Sequence, residues 1–413
     1  MRGHVRKRAT WEFVAELGDQ PVQRCPSCRK KFWVKRDRLP SCPLCRGPLT
    51  DSVERRQELK AGFKTKREAE DALGKVNVSV SGGTYIEPSK LLVRDYLKDE
   101  WLPAIKSTVR ATTYLSYKGH VEIHINPELG RFPLQKLTGA HINAFYSKLM
   151  SEKKTVGEEE MPKYAPATVR RVHATLHRAL RDAVRWNHLQ RSPADSADPP
   201  RVSASDTEMK TWAASQLQTF LRSERESRLY PLWLLLATTG MRRGEVLGLK
   251  WDDVDFAARR IAVRRTRVVT GYECQVSEPK TRRGRRLIAL DQATAAALGS
   301  LRTTQKKERL AWGPAWKDTG YVFILENGEP YHPERVSKLF AQATEKAKLP
   351  SIRLHDLRHT YATLALSVGI HPKVVSERLG HANIGITLDT YSHAVPALSE
   401  EAASRVAALV VPD

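Results

Sequence analysis

The most constraining feature of this sequence is a set of arginines, histidines and a tyrosine spread through its C-terminal half. A first cluster, TGMRRGE, occupies residues 239–245, and HDLR, LGH and TYS follow at residues 355–358, 379–381 and 390–392. Residues so far apart in the chain act together only if the fold brings them to one place. The C-terminal half is therefore expected to form a domain that assembles them.

These residue types suit the attack of a tyrosine on a phosphodiester. A phosphodiester carries one negative charge, and the attack adds charge to its non-bridging oxygens. Guanidinium groups meet that charge with paired, planar donors that stay protonated. The tyrosine phenol must lose a proton before it attacks, and a histidine is suited to assist. The motifs therefore predict phosphotyrosyl chemistry on DNA.

The same motifs resemble those of the tyrosine recombinases, in particular the phage-integrase type. They stand here, in the family's order, as TGMRRGEVLGLKWDDVD, EPKTRRGRR, HDLRHTYAT and LGHANIGITLDTYSH, and the resemblance extends from about Ala61 to about Val395. It implies a multidomain, mainly α protein with small β-sheets and a mixed α+β catalytic domain. Such a protein would cut and rejoin DNA through a 3′-phosphotyrosyl intermediate, to integrate or excise a phage or other mobile element, without a catalytic cofactor.

Two arginines are expected to clamp the scissile phosphate. The resemblance gives this role to Arg242 and Arg358, but Arg243 competes with Arg242 because only the register of the TGxR match separates them. Glu245 lies one helical turn beyond Arg242, where a carboxylate would orient the guanidinium. An ordinary surface glutamate is the alternative.

Tyr391 is the expected nucleophile, and Tyr361, Tyr331 and Tyr321 are the competing tyrosines. His355 lies three residues before Arg358, so both would share one helix face. His355 would accept the tyrosine proton or bind the phosphate. His381 would donate a hydrogen bond to a non-bridging oxygen.

Lys280, in the sequence EPKT, matches the general acid of the family, which protonates the departing 5′-oxygen. A lysine suits this role because its proton becomes transferable when the site lowers its pKa. The following bases in KTRRGRR compete for the assignment, and a basic loop that contacts phosphates is the alternative.

Composition favours a nucleic-acid partner. The 413 residues include 69 Lys and Arg against 46 Asp and Glu, for a formal net charge of +23. Such an excess predicts a polyanionic partner. An anionic membrane surface is the weaker alternative, because the strongest apolar run, Leu232–Ala237, is too short to span a bilayer. The basic N-terminus lacks the apolar stretch of a secretory signal, so a cytoplasmic protein is expected.

Four of the five cysteines form two CxxC pairs, CPSC and CPLC. Two such pairs, separated by thirteen residues, suit a tetrahedral Zn²⁺ site formed by Cys25, Cys28, Cys42 and Cys45. Four protein ligands leave no open position, so the zinc would be structural. Four reduced surface cysteines without metal are the alternative.

The chain is too long for one core and is expected to form several domains. The resemblance implies an arm-type DNA-binding domain, here a zinc-ribbon-like β fold, at residues 1–80. It also implies a four-helix core-binding domain at 88–193, whose first helix is expected to end at Pro103. A linker at 194–210 would lead to a catalytic domain at 211–413 with a C-terminal tail helix.

Candidate DNA contacts lie in the first two domains, where solvated helix or strand surface is the alternative interpretation. They are Arg29, Lys30, Lys31, Lys35, Arg36, Thr112, Tyr114, Arg170 and Arg171.

The resemblance also implies partners. A homotetramer would act on two DNA duplexes, with the tail of one subunit packed on its neighbour, and an excisionase and a host DNA-bending protein would assist. A type IB-like topoisomerase and a zinc-containing regulator with a degenerate catalytic domain are the alternative functions. The first would not need the N-terminal domain, and the second would not keep every active-site residue type.

Overall fold

A computed structural model of the chain describes residues 3–34, 38–157, 159–203, 209–271, 273–277, 284–391 and 407–408. The chain divides into two units, one of residues 1–108 and 117–201 and the other of residues 109–116 and 202–413. The predicted arm-binding and core-binding segments both fall mainly in the first unit. The architecture is mainly helical with small antiparallel sheets, as expected. No helix in the described ranges is long and apolar enough to cross a bilayer.

The first unit begins with an antiparallel sheet in which β2 pairs with each of the other three strands. The strands are β1 (Gly3–Lys7), β2 (Trp11–Arg24), β3 (Lys31–Trp33) and β4 (Thr50–Phe63). Helix α1 (Lys66–Ser81) follows, and its first turn is closed by a capping box between Thr65 and Glu68. Leu73 of α1 packs against Phe13 and Ala15 of β2, which covers one end of the sheet.

The remainder of the first unit is helical, with one short hairpin. Its elements are α2 (Val93–Asp95), α3 (Leu102–Ile105), α4 (Ala111–Gly119), α5 (Asn126–Leu129), α6 (Gly139–Ser151), β5 (Lys153–Val156), β6 (Glu159–Pro162) and α7 (Pro166–Arg185), together with 3₁₀ turns at Leu134–Lys136 and Pro193–Ser196. Residues 109–116, which include most of α4, belong to the second unit. Helix α7 buries Val169, Val172, Leu176 and Leu180 along one face and exposes arginines on the other, as its periodicity predicts.

Two prolines in this region each follow a π-helical segment. Tyr96–Trp101 precedes Pro103, and His120–Ile125 precedes Pro127. Because the first helix continues to Ile105, the expectation that Pro103 ends it is wrong. A proline ring presses on the carbonyl four residues earlier and lacks an N–H for it. In both cases that carbonyl belongs to the wider π turn, which lets the helix continue through the proline.

The strands and helices that follow residue 201 belong to the second unit. Its described strands form a three-stranded sheet in the order β11-β8-β7 and a β9–β10 hairpin. The strands are β7 (Val254–Asp255), β8 (Arg260–Val263), β9 (Thr266–Thr270), β10 (Glu273–Ser277) and β11 (Arg286–Ala289). The helices are α8 (Ala214–Ser223), α9 (Tyr230–Thr239), α10 (Arg243–Leu247), α11 (Gln292–Trp312), α12 (Pro333–Lys346), α13 (Asp356–Ser367), α14 (Pro372–Leu379) and α15 (Ile384–Tyr391), with 3₁₀ turns at Trp251–Asp253 and Gly313–Ala315.

Helix α9 forms the centre of this unit. It is apolar on all sides, and its residues from Leu232 to Ala237 are all buried. Trp233 contacts Phe220 and Phe340, which brings α8 and α12 onto the same core. The helix ends at Gly240, whose φ of 63° is left-handed. An added Cβ at Gly240 would lie 2.5 Å from the Tyr361 ring.

We expect Gly240→Ala to lower the free energy of unfolding by about 3 kcal/mol, from the left-handed backbone and the overlap with Tyr361 together. Gly271→Ala is the matched control, because Gly271 has a φ of 66° with nothing within 4 Å of an added Cβ. It should cost only the backbone term, about 1 kcal/mol. Chemical denaturation of both variants measures the difference. Equal losses would show that the contact with Tyr361 is not tight.

Candidate active site

The two predicted clamp arginines converge on one backbone carbonyl. Arg242, which precedes α10, donates from Nη1 to the Leu379 oxygen at 3.4 Å. Arg358, on α13, donates to the same oxygen at 2.8 Å and to the Gly240 oxygen at 2.9 Å. Arg358 is buried, and this burial together with the charge of Arg242 lowers the pKa of Arg358 to about 9, so it stays charged at neutral pH. Two positive charges thus meet at the C-terminal end of α14.

Arg242 and Arg243 point in different directions. Arg243 points away from this carbonyl and donates to the Ser337 hydroxyl on α12 at 2.7 Å. Arg242 instead pairs with Glu245, Nη1 to Oε1 at 2.9 Å, while its backbone N–H donates to Oε2 at 3.0 Å. The structure therefore brings Arg242, and not Arg243, to Arg358.

Glu245 is a buried carboxylate shared by two arginines, which excludes the surface alternative. Besides Arg242 it accepts hydrogen bonds from Arg286, at 3.2 Å to Oε1 and 2.9 Å to Oε2. Burial raises the pKa of this carboxyl, but the hydrogen bond from Arg286 and the charges of both arginines outweigh burial and hold it below its ordinary value. Arg286 also donates to the Arg378 oxygen at 2.6 Å, so it connects β11 to α14.

Sequence reasoning missed Arg286 because it stands in the run KTRRGRR, which resembles a phosphate-binding loop. A signal was present in strand parity. Arg286 lies two residues before Ile288, and alternate residues of a strand share one face. Since Ile288 is buried, Arg286 faces inward as well.

Tyr391 ends α15 and is buried, with 1% of its surface exposed. Its ring lies in an apolar pocket whose walls include Ala365, Val375 and Leu379. Its hydroxyl lies 2.7 Å from Nδ1 of His359. Burial raises the pKa of the phenol, while the charges of Arg358 and Arg242 oppose that rise. His359 is a second residue that the sequence analysis missed.

The two predicted histidines occupy different environments. His355 is exposed, and its ring lies at 90° to that of His359 with 5.2 Å between centroids. His381 is half-buried beyond the end of α14, with Nδ1 2.8 Å from the Thr387 hydroxyl. Burial and the nearby arginine charges lower the pKa of His381 to about 4, so it is neutral at pH 7. Lys280 falls between β10 and β11 in the chain, outside the described residues.

The four paired cysteines of the first unit lie together. Their sulfurs are all within 4.8 Å of one another, and the Cys25–Cys45 and Cys28–Cys42 sulfurs are 3.3 and 3.5 Å apart. These separations are far longer than a disulfide bond of about 2.05 Å. In a tetrahedral site with zinc–sulfur bonds of about 2.3 Å, the sulfurs lie nearly 4 Å from one another, so the cluster fits a zinc ion.

Two equivalent turns build this cluster. The Cys25 N–H donates to the Lys30 carbonyl and the Cys42 N–H to the Gly47 carbonyl, each at 2.9 Å. The residue after each pair, Arg29 or Arg46, has a left-handed φ of 56° or 58°. The same backbone turn thus presents both pairs of thiols.

The predicted DNA contacts that the structure describes lie mostly on the surface. Arg29, Lys30 and Lys31 are exposed beside the cysteine cluster, as are Arg170 and Arg171 on α7, whereas Thr112 and Tyr114 on α4 are half-buried. Lys31 also pairs with Glu54 at 2.5 Å, which offsets part of its charge. Lys35 and Arg36 lie outside the described residues.

Comparison with known proteins identifies the family. The phage integrase family profile matches residues 210–397, and that of the phage integrase N-terminal SAM-like domain matches residues 94–150. The chain belongs to the phage integrase family of tyrosine recombinases. This confirms the resemblance drawn from the motifs, and it makes the chain a site-specific DNA recombinase of the kind that integrates mobile elements.

Relatives of this recombinase include a tyrosine recombinase XerC-like protein of Caldanaerobacter subterraneus subsp. tengcongensis, 27% identical over 81% of this chain and 87% of the relative. The ICEBs1 integrase of Bacillus subtilis is 23% identical over 85% of this chain and 89% of its own length. Among solved structures, the Tn1549 transposon integrase in complex with a circular intermediate DNA has a TM-score of 0.63 and 22% identity, covering 76% of this chain and 99% of that one. This likeness shows the shared fold.

We expect Glu245→Gln to destabilise the recombinase by about 3 kcal/mol or more, because it leaves the buried Arg286 without a counter-charge. Since the folded pKa of Glu245 lies below its ordinary value, its contribution is present above that ordinary pKa and is lost as the pH falls through the folded value. The variant should therefore lose this part of the acid dependence of stability.

Denaturation from pH 7 to pH 3 measures both effects. Glu377→Gln is the control, because Glu377 forms only an exposed pair with Lys373 on α14 at 3.3 Å. It should change stability by about 0.5 kcal/mol or less. Similar losses in the two variants would contradict a stabilising role for the buried pair.

Proposed function

We propose that Tyr391 attacks a DNA phosphodiester held between Arg242 and Arg358. The observation that carries this assignment is the convergence of both guanidiniums on the Leu379 oxygen, beside a buried tyrosine. Groups that donate to one carbonyl oxygen are close enough to donate to two oxygens of one phosphate. Their fixed positive charge would stabilise the charge that develops during attack.

The remaining groups divide the other tasks. His381 bonds Thr387 through Nδ1, which leaves Nε2 for a non-bridging oxygen. His355, exposed beside His359, would bind the phosphate from the solvent side. Lys280 would protonate the 5′-oxygen as the bond from phosphorus to that oxygen breaks. The resulting 3′-phosphotyrosyl bond keeps the energy of the phosphodiester, so a 5′-hydroxyl can reverse the step without a high-energy cofactor.

The N-terminal half of the chain would recognise the DNA sites. The helical segment at residues 88–193 would grip the core site through Thr112, Tyr114, Arg170 and Arg171. Residues 1–80 would bind arm-type sites through a basic strip formed by Arg29, Lys30, Lys31, Lys35 and Arg36. We assign Zn²⁺ to Cys25, Cys28, Cys42 and Cys45, as a structural ion. A zinc-ribbon-like arm domain of this kind would not serve a topoisomerase, which favours recombination between defined sites.

The oligomeric state is expected to follow that of a related integrase of known structure. The lambda integrase, which matches 94% of this chain with a TM-score of 0.54, forms a tetramer on a Holliday junction. We propose a homotetramer here as well, with an excisionase and a DNA-bending protein setting direction. The DNA substrate and the five cysteines, none of them in a disulfide, favour the reducing cytoplasm.

Covalent trapping tests the nucleophile. Wild type should form an adduct on the 3′ side of a nicked core site without Mg²⁺ or ATP, whereas Tyr391→Phe should bind the site with equal affinity and form none. Tyr331→Phe removes a buried hydroxyl elsewhere in the domain and should keep the adduct. Denaturing gels separate adduct from free DNA, and an undiminished adduct from Tyr391→Phe would refute the assignment.

Metal analysis tests the cysteine cluster. We expect one zinc per wild-type chain and none in Cys25→Ser, with arm-site affinity reduced at least about tenfold and core-site cleavage retained. Cys274→Ser removes the cysteine of β10 and should keep the metal. Equal zinc in both variants, or unchanged arm binding by the zinc-free variant, would contradict the proposal.

A further inference from the structure

The Tyr391 hydroxyl contacts a histidine outside the predicted catalytic set. Its distance from Nδ1 of His359 is 2.7 Å, and the ring centroids are 5.7 Å apart at 49°. In the tautomer that carries its proton on Nε2, His359 accepts a hydrogen bond from this hydroxyl through Nδ1. The sequence analysis gave His355 either this task or phosphate binding. Its ring centroid lies 5.2 Å from that of His359, and the residue is exposed.

On the basis of the proposed nucleophile, we propose that His359 is the general base that positions the Tyr391 hydroxyl and accepts its proton during attack. As the bond from Oη to phosphorus forms, the Oη proton moves to Nδ1 and the electron pair of the broken phosphorus–oxygen bond leaves with the 5′-oxygen, which takes a proton from the general acid. Religation returns the His359 proton to the tyrosine.

The surroundings of His359 suit a general base that is neutral before the attack and becomes an imidazolium after proton transfer. Burial lowers its pKa, and the charges of Arg358 and Arg353 act in the same direction, so the ring is neutral at pH 7 and able to accept. Asp356, one turn earlier on α13, raises the pKa and would stabilise the imidazolium once formed. Asp356 is itself held by Arg353, at 2.8 Å.

The helix explains why this residue can serve the tyrosine. Consecutive helical residues point about 100° apart, so His359 and Arg358 face different partners. Arg358 bonds the carbonyls at the ends of α9 and α14, while His359 reaches the pocket of Tyr391. Phosphate and nucleophile are therefore held by neighbouring residues of one rigid element. Because His359 accepts the tyrosine proton, His355 can contact the phosphate instead.

Single-turnover cleavage of a nicked core site tests the proposal. His359→Asn keeps a group that can hydrogen-bond the hydroxyl but cannot take its proton. It should bind the site as wild type does and cleave about 100-fold more slowly at pH 7. Its rate should rise steeply from pH 7 to pH 9, as more tyrosinate forms, while the wild-type rate changes less. In His359→Ala, added imidazole should restore part of the rate.

His332→Asn is the matched control, because His332 is a half-buried histidine that caps α12 and asparagine caps helices well. It should cleave at the wild-type rate. An unchanged rate in His359→Asn overturns the proposal, and so does a slow rate whose pH profile parallels wild type without imidazole rescue. If His359→Ala does not fold, the pH slope of His359→Asn decides. An adduct from Tyr391→Phe would instead overturn the nucleophile itself.

Discussion

The catalytic unit depends on one buried guanidinium. Arg358 donates to the carbonyls of Gly240 and Leu379, which stand at the C-terminal ends of α9 and α14. Helix ends leave such carbonyls without partners inside the helix, and they carry partial negative charge. A single side chain on α13 thus joins three helices and satisfies two oxygens. The motifs TGMRRGE, HDLR and LGH meet because this one group bonds the first and the last.

The same cluster carries more positive than negative charge. Among the described side chains around it, Arg242 and Arg286 pair with the buried carboxylate of Glu245, while Arg358 is buried against backbone carbonyls. Uncompensated buried charge destabilises a fold, and a phosphodiester would supply part of the missing negative charge. A phosphodiester bound at the proposed site would therefore complete the electrostatics of the domain, and DNA binding would be coupled to folding stability.

Motif spacing predicted that Arg358 and Tyr391 lie near each other, and the structure brings Arg358, Arg242 and the buried Tyr391 to one region. Spacing did not separate Arg242 from Arg243, because adjacent residues differ mainly in where their side chains point. In the structure, Arg242 pairs with Glu245 and Arg243 donates to Ser337. His359 was missed for the same reason: it follows Arg358 in HDLRH, and only the path of α15 brings Tyr391 to it. The helix end predicted at Pro103 was wrong because a π turn accommodates the proline, and no residue type in the sequence indicates a π turn.

The long hairpin of the first unit extends beyond the helix that covers it. Leu73 packs near Phe13 and Ala15 at the start of β2, whereas Cys25 follows its end. At about 3.3 Å per residue the two places are roughly 35 Å apart. The far end of the ribbon is held locally by the cysteine cluster and by the pairs of Glu54 with Arg24 and Lys31. Loss of the proposed zinc ion would then disorder this end and the basic residues beside it, while the hydrophobic core beneath α1 stayed intact.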